Sequence, residues 1–128
     1  MRAILDTSVL LSAEVPPIDA DLSISVASLA ELHFGVLVAR DAGRRAERLR
    51  RLTLIERHFS ALPIDDAVAR SYGQLAAAVT AFGRQPRARV MDLLIAATAR
   101  THDAVLYTWN PGDLAGLGDL VEIRTPAT

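Results

Sequence analysis

Cysteine and lysine are both absent from this 128-residue chain, and each absence closes a class of chemistry. Without cysteine there is no disulfide framework, no thiol nucleophile and no sulfur-ligated zinc or iron–sulfur centre, so any metal must be held by oxygen or imidazole. Without lysine there is no P-loop lysine, no Schiff-base chemistry and no lysine of the receiver-domain kind beside an acidic pocket. No apolar run approaches the roughly 20 residues of a membrane helix, so no span is expected. The first residues, RAILD, read as a buried strand and not as a secretory leader, which makes the cytoplasm the expected location. A formal net charge of −1 lacks the basic surplus of a nucleic-acid coat, so any nucleic-acid contact must be local.

What remains is the composition of a soluble globular protein, 51% hydrophobic and 23% charged, in a length that suits one domain spanning residues 1–128. Five short stretches read as strands: RAILD, LSISV, ALPID, AVLYTW and VEIRT. Between them the periodicity turns helical. Thr7 or Ser8 can cap a short helix over SVLLSAE that Pro16 and Pro17 end. Ser28 and Glu31 stand in capping-box spacing for a helix from about Ala27 through Leu37, with Gly43 as the break before the next. A second long helix runs from Arg44 to Phe59, and a third from Asp65 or Asp66 to Phe82, where Gly83 ends it. A basic loop, RQPRAR, leads into the apolar helix MDLLIAATAR, and NPGD is a turn. Strands alternating with helices predict an α/β fold with a central, mostly parallel sheet flanked by helices.

Four acids fall where strand gives way to helix: Asp6 in LDTSVLL, Glu31 in SLAEL, Asp92 in MDLLIAATA and Asp113 in TWNPGDL. Each has an ordinary explanation as a helix cap or a first-turn acid favoured by the macrodipole. Asp6, which ends an apolar strand, and Asp92, which opens a largely buried helix, are the least well explained that way. An open parallel sheet delivers its strand ends to one crevice, so acids distant in sequence can converge there. Together the four suit a hard divalent cation such as Mg²⁺ or Mn²⁺, which takes oxygen ligands and keeps waters for a phosphate to displace. The three histidines have structural readings: His33 and His58 lie within helices, and His102 lies at a helix C-terminus. The second aspartate of a haloacid-dehalogenase-type motif is missing after DTS, and neither GxSxG nor HExxH occurs.

In this order and spacing, LDTSVLL, SLAEL, DLLIAATA and TWNPGDL resemble the four signature blocks of PIN-domain ribonucleases, in particular the VapC-type toxins of bacterial toxin–antitoxin pairs. The resemblance covers essentially the whole chain, including the PID that opens the helix after the third strand and the GR…D approach to Asp92. It implies that Asp6, Glu31 and Asp92 are metal-site carboxylates, and it leaves the fourth position open between Asn110 and Asp113. Asp113 is favoured, because a charged carboxylate outcompetes a neutral amide carbonyl for a hard cation. Trp109 and Leu114 depart from the commoner basic and phenylalanine choices in that block. The implied activity is Mg²⁺-dependent hydrolysis of RNA phosphodiester bonds by water, with Mn²⁺ as the alternative ion. The implied partners are RNA, a cognate VapB-type antitoxin and a second copy in a homodimer. Two other classes stay open: a PIN-like module that binds RNA or protein without cutting, and a metal-dependent phosphomonoesterase.

The residues around the acids carry two readings each. Thr7 or Ser8 either donates to a substrate phosphate or orients Asp6, or else simply caps a helix. Arg84, Arg87 and Arg89, in the loop before Asp92, either guide an RNA backbone through charge-assisted contacts or lie in solvent. The arginines from Arg44 to Arg57 alternate with Leu49, Leu52, Ile55 and Phe59, the pattern of a solvated helix face, with antitoxin or RNA contact as the second reading.

Overall fold

The computed structural model describes residues 1–126. Its sheet holds β1 (Arg2–Leu5), β2 (Asp21–Ser25), β3 (Ser60–Leu62), β4 (Val105–Tyr107) and β5 (Ile123–Arg124), in the spatial order β3-β2-β1-β4-β5. Every pairing is parallel, as the alternation of strand and helix requires. The order reverses between β1 and β4, which places the crevice of the fold beyond the carboxyl ends of those two strands.

Side chains alternate across the sheet, and this divides the core in two. In β1, Ile4 packs with one cluster while Ala3 and Leu5 pack with the other; in β4, Leu106 and the pair Val105 and Tyr107 divide the same way. On the Ile4 face lie α4 (Asp66–Ala81) and α5 (Val90–Thr101), through Val68, Leu75, Leu93 and Ile95. On the other face lie α1 (Thr7–Leu10), α3 (Ala42–His58) and much of α2 (Val26–Leu37), through Val9, Leu52, Ile55 and Leu32. α1, α2 and α5 start at the crevice end, whereas α4 runs the other way, its start bonded to the end of α5 through Ser71 and Thr101 and its end beside the turn at Gly112.

Local chemistry sets the helix boundaries, in places differently from expectation. α1 is capped by Asp6, whose Oδ1 accepts from Val9 N at 3.2 Å, and not by Thr7 or Ser8. α2 begins earlier than Ser28 would set it: Ser25 ends β2 in an extended conformation and accepts from Ala27 N at 3.0 Å. Ser28 is therefore in the first turn and fully buried, and the proposed capping box does not form. Gly43 does not break the chain between helices but lies in the first turn of α3, which Asp41 caps through Arg44 N at 2.8 Å. The α4 boundary is as expected, with Asp65 as the cap and a terminus at Gly83. Gly83 has φ +92°, and the bonds Gly83 N to Thr80 O and Arg84 N to Val79 O form a Schellman motif, a left-handed conformation that only glycine adopts cheaply. The basic loop and the NPGD turn are single 3₁₀ turns, Pro86–Arg89 and Pro111–Leu114. Phe34 and Leu37 belong to the apolar run of α2 yet remain exposed, because the buried stripe runs through Ala27, Leu32 and Val36. Among the described residues no helix is long and apolar enough to cross a membrane.

Two substitutions separate core from cap. Leu75 is fully buried, so Leu75→Ala lowers stability by about 2–5 kcal/mol. Asp65→Ala removes only the α4 cap and costs about 1 kcal/mol. Urea denaturation of the two variants measures both; equal losses would mean that α4 is not held mainly by its buried face.

Candidate functional site

All four acids singled out in the sequence line one cavity of about 180 Å³ at the crevice end of the sheet. Asp6 arrives at the end of β1, its backbone held in the ladder by Asp6 N donating to Tyr107 O at 3.0 Å. Glu31 comes from the second turn of α2, Asp92 from the first turn of α5, and Asp113 from the 3₁₀ turn after β4. Four elements separated in sequence are thus brought together by topology alone. Asn110, Thr7 and Ser8 line the same cavity.

Hydroxyl groups fix two of the acids, Asp6 and Glu31. Ser8 Oγ donates to Asp6 Oδ1 at 2.5 Å and itself accepts from Trp109 N at 3.1 Å, which ties the ends of β1 and β4 together. Both the Ser8 bond and the helix cap fall on Oδ1, so neither uses the second oxygen of Asp6. Thr7 Oγ1 lies 2.6 Å from Glu31 Oε1 and 3.1 Å from Ser28 Oγ, so Thr7 orients Glu31 and not Asp6. Ser28, assigned to a helix cap by its spacing, is instead a buried neighbour of that pair. Thr108, buried in the cavity wall, accepts from Asn110 N at 3.0 Å and was not among the expected site residues, although it opens the TWNPGDL block.

The arginines divide. Arg89 reaches Asp113 Oδ1 at 3.2 Å and Asp92 Oδ2 at 3.9 Å. Arg84 donates to the carbonyl of Gly112 at 3.0 Å and, with Arg89 and Asp113, lines an adjoining cavity of about 210 Å³. Arg87 lines neither cavity and is exposed. None of the histidines lines the acidic cavity: His33 faces Glu56, His58 bonds the carbonyl of Leu54, and His102 lies beside Arg2.

Charge is concentrated enough to be felt. Burial raises the Asp92 carboxyl above the ordinary aspartate range, and Glu31 and Asp113 push it further, against the opposing pull of Arg89, with Asp6 adding to the rise. Among the described residues no three acidic or imidazole side chains stand in position to grip one ion directly. The donors nevertheless fit a hard divalent cation. All are oxygens, they converge on one small polar cavity, and Mg²⁺ commonly takes only one or two protein carboxylates, completing its shell with water and phosphate.

The family model for the PIN domain matches residues 3–111. This chain belongs to the PIN-domain family. Ribonuclease VapC4 of Mycobacterium tuberculosis is 35% identical over 130 residues, covering 97% of this chain and 96% of that protein. Ribonuclease VapC5 of the same organism is 37% identical over 127 residues, covering 94% and 91%. Among solved structures, VapBC-5 of Mycobacterium tuberculosis, a member of the VapBC family of toxin–antitoxin systems, superimposes with a TM-score of 0.81 at 31% identity, covering 99% of this chain and 98% of that one. The fold expected from the strand and helix pattern is the PIN-like α/β fold.

The raised Asp92 carboxyl in this PIN domain has a consequence for stability. A carboxyl whose pKa is raised by folding stabilises most at low pH and loses that contribution as pH climbs through its folded value. In chelator, Asp92→Asn is therefore expected to melt at a higher temperature than the wild type at neutral pH, with the gap closing in acid. A carboxyl titration followed by NMR checks the cause: Glu31→Gln should lower the Asp92 pKa, and an unchanged value would remove Glu31 from the charge cluster.

Proposed function

We propose that this PIN domain is a VapC-type toxin, a metal-dependent endoribonuclease that hydrolyses RNA phosphodiester bonds and is held in check by a cognate VapB-type antitoxin. The observation that carries the reading is the convergence of Asp6, Glu31, Asp92 and Asp113 on one cavity, in a chain more than a third identical to named VapC ribonucleases along nearly its full length. When bound, Mg²⁺ or Mn²⁺ supplies Lewis-acid activation of water and neutralises charge developing at phosphorus. The chain's own part is positional. Asp6, Glu31 and Asp92 would hold the ion between them, in part through its bound waters, with Asp113 as the fourth acid and Asn110 beside it at the strand end. Thr7 and Ser8 keep Glu31 and Asp6 from swinging away.

Arg87, exposed on the turn before α5, is the arginine of that loop free to meet an RNA backbone, while Arg84 and Arg89 are engaged with the protein's own oxygens. The exposed apolar side chains of Phe34, Leu37 and Val38 on and just after α2 suit contact with other protein chains. On this reading they serve the antitoxin or the homodimer. The cytoplasm, where RNA and antitoxin are found, is the proposed location. No feature favours a PIN-like module that does not cut, which has no use for four gathered acids, or a phosphomonoesterase.

Purified protein incubated with total RNA is expected to cut it with Mg²⁺ or Mn²⁺ and to stop in excess chelator; cleavage that persists there would overturn the reading. Loss of a ligand's hydrogen-bonded partner alone costs roughly 10–100-fold in metal sites, so Asp6→Asn or Asp92→Asn should lower the rate at least about 100-fold without unfolding the chain.

The fourth position is settled by a separate titration. Asp113 offers charge to the cavity, whereas the Asn110 side chain is neutral and its backbone carbonyl is already taken by Asp113 N at 3.0 Å. Calorimetric titration of Mn²⁺ is expected to show a larger loss of affinity in Asp113→Asn than in Asn110→Ala, and the opposite order would give the role to Asn110.

A further inference from the structure

Arg89 stands where a cation would be expected to stand. Its guanidinium lies 3.2 Å from Asp113 Oδ1 and 3.9 Å from Asp92 Oδ2, so it spans two of the four gathered acids from the side of the adjoining cavity. It also offsets part of the repulsion that Glu31, Asp113 and Asp6 exert on Asp92. All three partners are partly exposed, with side-chain accessibilities of 41% for Arg89, 35% for Asp92 and 41% for Asp113. An ion pair in that setting is weak and exchangeable. A guanidinium cannot be neutralised at any physiological pH, so it leaves these carboxylates only by moving away.

We propose that Arg89 is a built-in counter-cation of the acidic cavity, one that competes with the divalent ion for Asp92 and Asp113 and must be displaced when the ion binds. The proposal rests on the metal-dependent reading above and adds a regulator to it. Arg89 sets the ion concentration at which the site fills, by holding two acids at low concentration and yielding them at high. Arg84, from the same loop, makes an instructive contrast, because its partner is the carbonyl of Gly112 and not a carboxylate. It therefore has no part in the competition.

The test is calorimetric titration of MnCl₂ into the full chain without RNA, beside thermal melts in chelator and in saturating Mn²⁺. Exposed ion pairs are worth about 0.2–1 kcal/mol, so Arg89→Gln is expected to tighten Mn²⁺ binding by up to about fivefold. Arg89→Lys keeps the charge and should stay closer to the wild type, and Arg84→Gln should leave the affinity unchanged. Mn²⁺ should also raise the melting temperature of Arg89→Gln by more than that of the wild type, since a ligand bound more tightly to the folded state stabilises it more. Mn²⁺ binding that Asp92→Asn abolishes, but that Arg89→Gln leaves equal or weakens, would overturn the role of Arg89 and leave the metal site standing. Absence of Mn²⁺ binding in every variant, wild type included, would overturn both.

Discussion

Like charges do not gather unless a fold compels them, and the central constraint on this structure is the mutual repulsion of the carboxylates that meet at one end of its sheet. Burial first, and then the nearness of Glu31, Asp113 and Asp6, raise the Asp92 carboxyl above the ordinary range, a rise that Arg89 only partly offsets, so the ionised form is disfavoured there. The scaffold bears that cost because the positions are fixed for other reasons. Asp6 is locked by a ladder bond to β4 and by the cap of α1, and Asp92 is carried at the head of a helix whose next residues, Leu93 and Ile95 to Ala97, are buried. Neither acid can retreat from the other without dismantling core packing. This is the usual relation between a functional site and the stability of the protein that holds it.

The doubly covered parallel sheet turns local sequence into long-range geometry. Strands buried on both faces are apolar, and the heads of α1, α2 and α5 meet the tails of β1 and β4 at one edge. That is why the fold and the acidic set were legible before any coordinates. RAIL and VLY read as buried strands from their apolar runs, and Asp6, although it also caps α1, ends the first of them where a parallel sheet opens; the strand order that puts the crevice beside it was not readable from the sequence.

What was not legible depended on contacts across the crevice. Ser25 and Ser28 are both serines near the start of α2, and spacing to Glu31 selected the wrong one as cap. The boundary is set by where β2 stops pairing with β3, which no local pattern records. Glu31 then looked like a partner of Ser28, when its nearest donor is Thr7, 24 positions earlier. Of the two readings given to Thr7 and Ser8, the one that orients Asp6 describes Ser8, whereas Thr7 turns to Glu31, because adjacency along the chain says nothing about which residue lies across a fold. The two arginines of the RQPRAR loop that look interchangeable in sequence, Arg84 and Arg89, differ by what the 3₁₀ turn after β4 presents to each: a carbonyl to the first, a carboxylate to the second.

The absence of lysine sharpens this last distinction. A lysine beside two carboxylates could lose its proton as its surroundings became more positive, and the pair would relax by proton transfer. Arginine holds its charge under all such conditions, and its planar fork can face two carboxylates at once. In this chain every basic side chain other than histidine is an arginine, so the positive charge next to Asp92 and Asp113 is permanent and movable, never titratable. On the counter-cation proposal, control over the acidic cavity comes from position, through the 3₁₀ turn that carries Arg89 and the one that carries Asp113. Both are single turns opened by a proline at the crevice, in contrast to the buried strands and the long helices that fix Asp6, Glu31 and Asp92. The sheet and the helices hold Asp6, Glu31 and Asp92, and the two turns bring Asp113 and Arg89 together beside them.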